Sequence, residues 1–155
     1  MTETHHINPI LLMANPLEYI RVSVPTGNIK AIRRDEVTGM FGGIHFPGVI
    51  ACIPLVLWSI ESQFTLAIHS ALGHNNPDQL AKAIMAHKDK YGRNLGWSIH
   101  AAEVISDDYP EIASLPKRVV NLHYIASLAK VEKIHTKDSA LNLSFHPAIG
   151  FRIVK

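Results

Sequence analysis

From Leu17 to Val24 apolar and polar positions alternate, with Ile20, Val22 and Val24 on one side and Tyr19, Arg21 and Ser23 on the other. A period of two is that of a strand with one buried face. Pro25-Thr26-Gly27-Asn28 has turn chemistry, and Ile29 to Arg34 reads as the return strand of a hairpin. Upstream, residues 8–14 form a short apolar turn or helix that Asn15-Pro16 breaks. Residues 1–7 read as a disordered tail.

Val37 to Gly48 reads as a loop, with glycine at 39, 42, 43 and 48. From Val49 to about Leu72 the chain is apolar almost all round, the pattern of a helix wrapped by other elements. Two buried strands, Ile50–Ser59 and Phe64–Leu72, with a turn at Glu61-Ser62-Gln63, would leave the same pattern, and periodicity does not separate the two readings. A membrane span is excluded here: the uninterrupted apolar part, Val49 to Ile60, is too short and holds Pro54.

Asn76 is a good N-cap, Pro77 suits the first helical position, and Asp78 lies in the first turn. The helix they open runs to about Tyr91, with Leu80, Ile84 and Tyr91 on one face, and stops at Gly92. Trp97 to Ile105 reads as a strand and Asp107-Asp108-Tyr109-Pro110 as a turn. Val119 to Ile134, β-branched at its start and Ala/Leu/Lys-rich later, reads as a long strand. Leu141, Leu143 and Phe145 alternate, residues 147–150 turn, and Phe151 to Val154 return as a closing strand. The 155 residues contain no repeat and no second domain, so the chain reads as one α+β domain over 1–155.

Hydrophobic residues make up 47% and charged residues 18% of the chain, a balance suited to a protein that hides extra surface in a partner subunit. The net charge of +2, without any Lys/Arg block, argues against a nucleic-acid partner. Small basic groups (Arg33 and Arg34; Lys82, Lys88, Lys90 and Arg93; Lys117 and Arg118) form at most a weak positive rim for an acidic protein. One cysteine, Cys52, excludes an internal disulfide framework and a cysteine metal site and fits a reducing cytoplasm. Met1 to Ile7 lacks the features of a signal peptide.

Candidate chemistry centres on His45-Phe46-Pro47-Gly48, which ends the glycine-rich loop. Between Glu36 and Asp78, histidines aside, the only ionisable carboxylate or cation is Glu61. An imidazole titrates near neutrality and moves protons both ways. A lone carboxyl in an apolar wall resists ionisation and can act as an acid. Together they suit removal of a proton from carbon with loss of water, and a backbone N–H at a helix start, Gly48 or Leu55, would steady the developing oxyanion.

Residues 17–63 together resemble the first part of the β-hydroxyacyl-acyl carrier protein dehydratases of the hotdog-fold superfamily. Three stretches carry the resemblance: the hairpin from Ile20 to Ile32; Met40-Phe41-Gly42-Gly43-Ile44-His45-Phe46-Pro47-Gly48, similar to the family's Gly-His-Phe-Pro-Gly loop; and Pro54-Leu55-Val56-Leu57-Trp58-Ser59-Ile60-Glu61-Ser62-Gln63, similar to its Pro-Gly-Val-Leu…Glu…Gln helix. Two departures stand out. Leu55 replaces a glycine, and Glu61 lies two residues further from His45 than the family's acid, whose usual spacing falls on Ser59.

The resemblance implies a hotdog fold, a curved antiparallel sheet wrapped around a central apolar helix. It implies a cytoplasmic lyase of fatty acid or polyketide synthesis, a homodimer or higher oligomer, with no cofactor and no metal. The substrate would be a 3-hydroxyacyl thioester on acyl carrier protein or coenzyme A. His45 would be the base and Glu61 the acid across the dimer interface, with Phe46, Pro47, Gly48, Pro54, Leu55 and Trp58 against the acyl chain. Rival readings are a hotdog thioesterase in which Glu61 directs water, a non-catalytic acyl- or ligand-binding module with a degenerate site, and an unrelated α+β interaction protein.

The chain has ten histidines. His69, His74 and Asp78 could approach a metal but lack ligand-motif spacing. His87, His100, His123, His135 and His146 are scattered, and His100 and Glu103 would point to opposite faces of a strand. No nucleophile elbow, P-loop or dinucleotide fingerprint occurs.

Overall fold

The computed structural model describes residues 20–21, 29–33, 43–70, 77–138 and 140–154. The segment 1–19, the turn at 25–28, the glycine-rich stretch 37–42 and the proposed cap Asn76 lie outside the described residues, so the readings made there have no structural counterpart. The described part is α+β: a five-stranded sheet with two helices on one face and a four-stranded sheet on the other.

The five-stranded sheet runs β2 (Ile29–Arg33), β5 (Phe64–Ser70), β4 (Ile53–Trp58), β6 (Ser98–Ser106), β7 (Lys130–Thr136). All its neighbours are antiparallel except β6 and β7, whose parallel pairing requires a crossover. That crossover contains a short 3₁₀ turn at Pro110–Ser114 and helix α2 (Pro116–Leu128). Helix α1 (Pro77–Tyr91) enters between β5 and β6. The four-stranded sheet runs β1 (Ile20–Arg21), β3 (Ile44–Val49), β8 (Leu141–His146), β9 (Gly150–Val154).

The helix expected from Val49 to about Leu72 does not form. The segment is the end of β3 followed by the β4–β5 hairpin, close to the alternative of two buried strands. The reason lies in the layering. Ile53, Leu55, Leu57, Leu66 and Ile68 join the core beneath the helices, whereas Val49, Val56 and Ala67 join the core between the sheets. Strands buried on both faces lose the polar half of the period-two pattern and read as continuously apolar. The turn is built by serines: Ser62 Oγ donates to the Phe64 carbonyl and accepts from the Phe64 N–H, at 3.0 and 3.1 Å.

Three further expectations change. The hairpin expected from Leu17 to Arg34 does not pair with itself, because β1 runs parallel to β3 in one sheet and β2 antiparallel to β5 in the other. The supposed loop at His45-Phe46-Pro47-Gly48 is strand β3, interrupted by a bulge between Phe46 and Val49. The long strand expected over Val119–Ile134 is helix α2 followed by β7. Pro116 starts that helix, and Arg118, Asn121 and Ile125 fall on one buried face at helical spacing.

Other readings hold. Helix α1 ends at Tyr91 with Leu80 and Ile84 buried, β6 lies at Ser98–Ser106, and β8 pairs with β9. At the β8–β9 turn Gly150 has φ +88°, and a Cβ there would come within 2.7 Å of Glu132 Oε2. That carboxylate reaches from β7 to accept the Phe151 N–H at 3.0 Å, so a side chain of one sheet occupies an edge donor of the other.

Arg118 pins the helical layer. It is 1% exposed; its Nη1 donates to Glu103 Oε2 at 3.1 Å and its Nη2 to the Val104 carbonyl at 3.0 Å. Its Nε donates to the Ala51 carbonyl at 3.4 Å, which ties α2 to the β3–β4 connection as well as to β6.

Candidate functional site

The structure separates the residues singled out from the sequence. His45 is 9% exposed and lies between Ile44 and Phe46, both of which face the inter-sheet core. Alternation therefore turns His45 to the outward face of the four-stranded sheet, beside its cross-strand partner Ser144. Phe46 packs between the sheets, its ring against His69 and Phe151. Pro47 is half-buried; Gly48 is exposed at the bulge, with φ +63°, and its N–H donates to Asn142 Oδ1 at 3.0 Å.

Pro54 and Leu55 are buried in the middle of the hairpin sheet, on opposite faces. Leu55 has Ile68 on one side and Ala101 on the other, inside a strand and not at a helix start. The oxyanion role expected of Gly48 or Leu55 therefore lacks its helical setting. Trp58 ends β4, half-buried against the inter-sheet core.

Glu61 is exposed in the β4–β5 turn. The Ser59 hydroxyl donates to its Oε2 at 2.6 Å and also lies against the Leu95 carbonyl. The expected dry wall around this carboxylate is absent. Within one chain His45 and Glu61 belong to different sheets, one on an outward face and the other in a solvent-facing turn.

A different group of polar side chains converges at the exposed start of β6. Ser98 and His100 share the inner face of β6, two residues apart, in line with Ala102 and Val104 of the inter-sheet core. Ser98 is exposed, and its Oγ lies 3.1 Å from His100 Nε2, with the proton between them set by the imidazole tautomer. It also reaches the carbonyl of Trp58, its cross-strand partner, at 3.4 Å. The His100 ring sits 5.2 Å from that of Phe145 on β8, which fixes its plane.

From β7, Lys130 pairs with His100 across the strands, and Glu132 follows on the same face. Burial lowers the His100 pKa below the ordinary imidazole value; the Glu132 carboxylate acts in the opposite sense and Lys130 reinforces the lowering. The imidazole is therefore neutral at pH 7 and can serve as donor or acceptor to a ligand. Trp58 supplies an aromatic wall beside it.

A second aromatic group closes the other side of the β4–β5 turn. Phe64 stacks on Tyr91, and His87 packs against both Tyr91 and Trp97. Trp97 Nε1 donates to the Gly92 carbonyl at 2.6 Å. These rings fill one another's faces and rivet α1 to β5.

Sequence reasoning set Trp58 against an acyl chain on a central helix, whereas it ends strand β4, and it did not single out Ser98, His100 or Lys130. The signal was there: a serine and a histidine two residues apart on a strand must share a face. His100 and Glu103 do point apart, Glu103 toward Arg118 and the helices. Among the described residues no three His, Cys, Asp or Glu side chains gather as metal ligands, and no helix is long and apolar enough to cross a membrane. His74 lies outside the described residues. No protein-family model matches the chain, and no curated protein matches it significantly.

Proposed function

We propose that this chain is a non-catalytic ligand-binding module that takes a small ligand at the open end of its inter-sheet layer. The polar head of the ligand sits on Ser98 and His100 and its apolar body lies against Trp58. The observation supporting this reading is the Ser98–His100 pair itself: an accessible hydroxyl 3.1 Å from a neutral, oriented imidazole, beside a half-buried tryptophan.

The lyase and thioesterase readings both need Glu61 in a dry channel. Its exposure and its bond to Ser59 argue against that role, and the strands that follow Gly48 withdraw support from a hotdog arrangement around a central helix. An acyl-type ligand keeps what is left of the resemblance, an apolar inner wall with polar groups at its mouth.

The test is titration of the full chain with a short 3-hydroxyacyl thioester, followed by amide and indole NMR shifts and by product analysis. The expected outcome is perturbation of the Trp58 indole without an enoyl or free-acid product. Losing one of the two polar partners, in Ser98→Ala or His100→Ala, weakens binding about two- to tenfold. Enoyl product that disappears in His45→Ala would overturn the reading in favour of the dehydratase.

A further inference from the structure

His69 stands apart from every other buried polar residue of the inter-sheet layer. It is 3% exposed, and among the described residues neither ring nitrogen has a hydrogen-bond partner. It lies opposite Pro54 in the β4–β5 pairing, and its ring meets Phe46 of β3 edge-on at 6.2 Å. A neutral imidazole always carries one donor and one acceptor, so both go unanswered here. Natural folds rarely keep such a group without a use for it.

We propose that His69 is an acid-sensitive latch between the two sheets: a proton taken up by this ring separates β5 from Phe46 and opens the inter-sheet layer from that end. Among the described residues the layer offers an imidazolium nothing to bind. β4 presents Pro54, Val56 and Trp58 on that face, and β3 presents Ile44 and Phe46. On β2 the inner face carries Ile32 and the exposed Lys30, a diagonal neighbour whose charge opposes a second cation. The remaining titratable groups of the inner face among the described residues, His100 on β6 and Lys130 and Glu132 on β7, lie beyond β4. Burial alone accounts for the lowered pKa of His69. The proton is therefore admitted only when the ring reaches water, and reaching water means parting from Phe46. This latch does not rest on the ligand reading, since the ring's neighbours are Pro54 and Phe46 and neither Ser98 nor His100.

The test compares urea unfolding of the full chain with that of His69→Leu and His69→Phe at pH 7.5, 6.5 and 5.5. As pH falls below 6.5 the wild-type unfolding constant rises by up to tenfold per pH unit more than that of either variant, because unfolding of the wild type takes up one proton more. Hydrogen exchange at pH 5.5 should quicken in β3 and β5 before α1. An identical pH dependence in wild type and variants overturns the proposal. Should both variants fail to fold, ring-proton NMR of the wild type decides. A His69 resonance that titrates near 6.5 in the folded chain, with β3 and β5 still protected, overturns it; one that stays neutral until those amides open supports it.

Discussion

Arg118 and His69, buried on opposite faces of the five-stranded sheet, meet their surroundings in opposite ways. On the helical face Arg118 is a full charge with Glu103 and two carbonyls around it. On the inter-sheet face His69 is neutral and has neither nitrogen paired. A charge cannot be left unanswered away from water, so the helical face had to be built around Arg118. An imidazole can shed its proton instead, so its immediate surroundings, Pro54 and Phe46, could remain apolar and tolerate it. The Arg118 site should thus be insensitive to mild acid, and the His69 site should weaken in it.

The largest effect expected is that of Arg118→Met, which strands Glu103 and the Val104 and Ala51 carbonyls. It should cost about 3–5 kcal/mol in urea unfolding, and adding Glu103→Leu should restore part of the loss. Additive losses would mean that the pair is not what organises that face. Phe46→Ala empties the centre of the inter-sheet layer, where Phe46 touches His69 and Phe151, and should cost about 3–5 kcal/mol.

Acid sharpens the comparison next. Burial lowers the pKa of His69, His87 and His100, so the unfolded chain binds more protons than the folded one below about 6.5. Their contribution is complete above that pH and is lost as pH falls toward the folded values, each histidine adding a change of up to tenfold per pH unit in the unfolding constant. Thermal melts between pH 7.5 and 5 check this; a chain more stable at pH 5 than at 7.5 contradicts it.

Smaller effects follow at the seams. Gly150→Ala forces a side chain into a left-handed backbone and displaces Glu132 from the Phe151 N–H, at a cost of about 1–2 kcal/mol in the same unfolding assay. Glu61→Gln changes an exposed turn and should alter stability by less than about 0.5 kcal/mol. A loss of several kcal/mol there would show that Glu61 is buried in an assembled form, where the acid role first expected of it becomes possible.

Much of the local structure was legible from residues. Pro77, Asp78 and Gly92 bracket α1, and the alternation from Leu141 to Val154 marks β8 and β9. Their patterns survive because each buries a single face or stripe. The stretch from Val49 to Ser70 was legible as core, but its period did not separate strand from helix, because both faces of β4 and β5 are covered. His45 and Glu61 were legible as chemistry but not as a pair, since their separation depends on which sheet each strand joins.

The sequence by itself determined which residues leave water, where the chain turns, and which side chains could carry protons. Only the tertiary structure decided that β1 and β2 part to different sheets, that α2 and not a strand follows Pro116, and that Ser98 meets His100 beside Trp58. Burial and turn chemistry are written into runs of neighbouring residues, through period and composition. Strand partnership is a contest among segments far apart in the chain, and its outcome depends on how the layers close together.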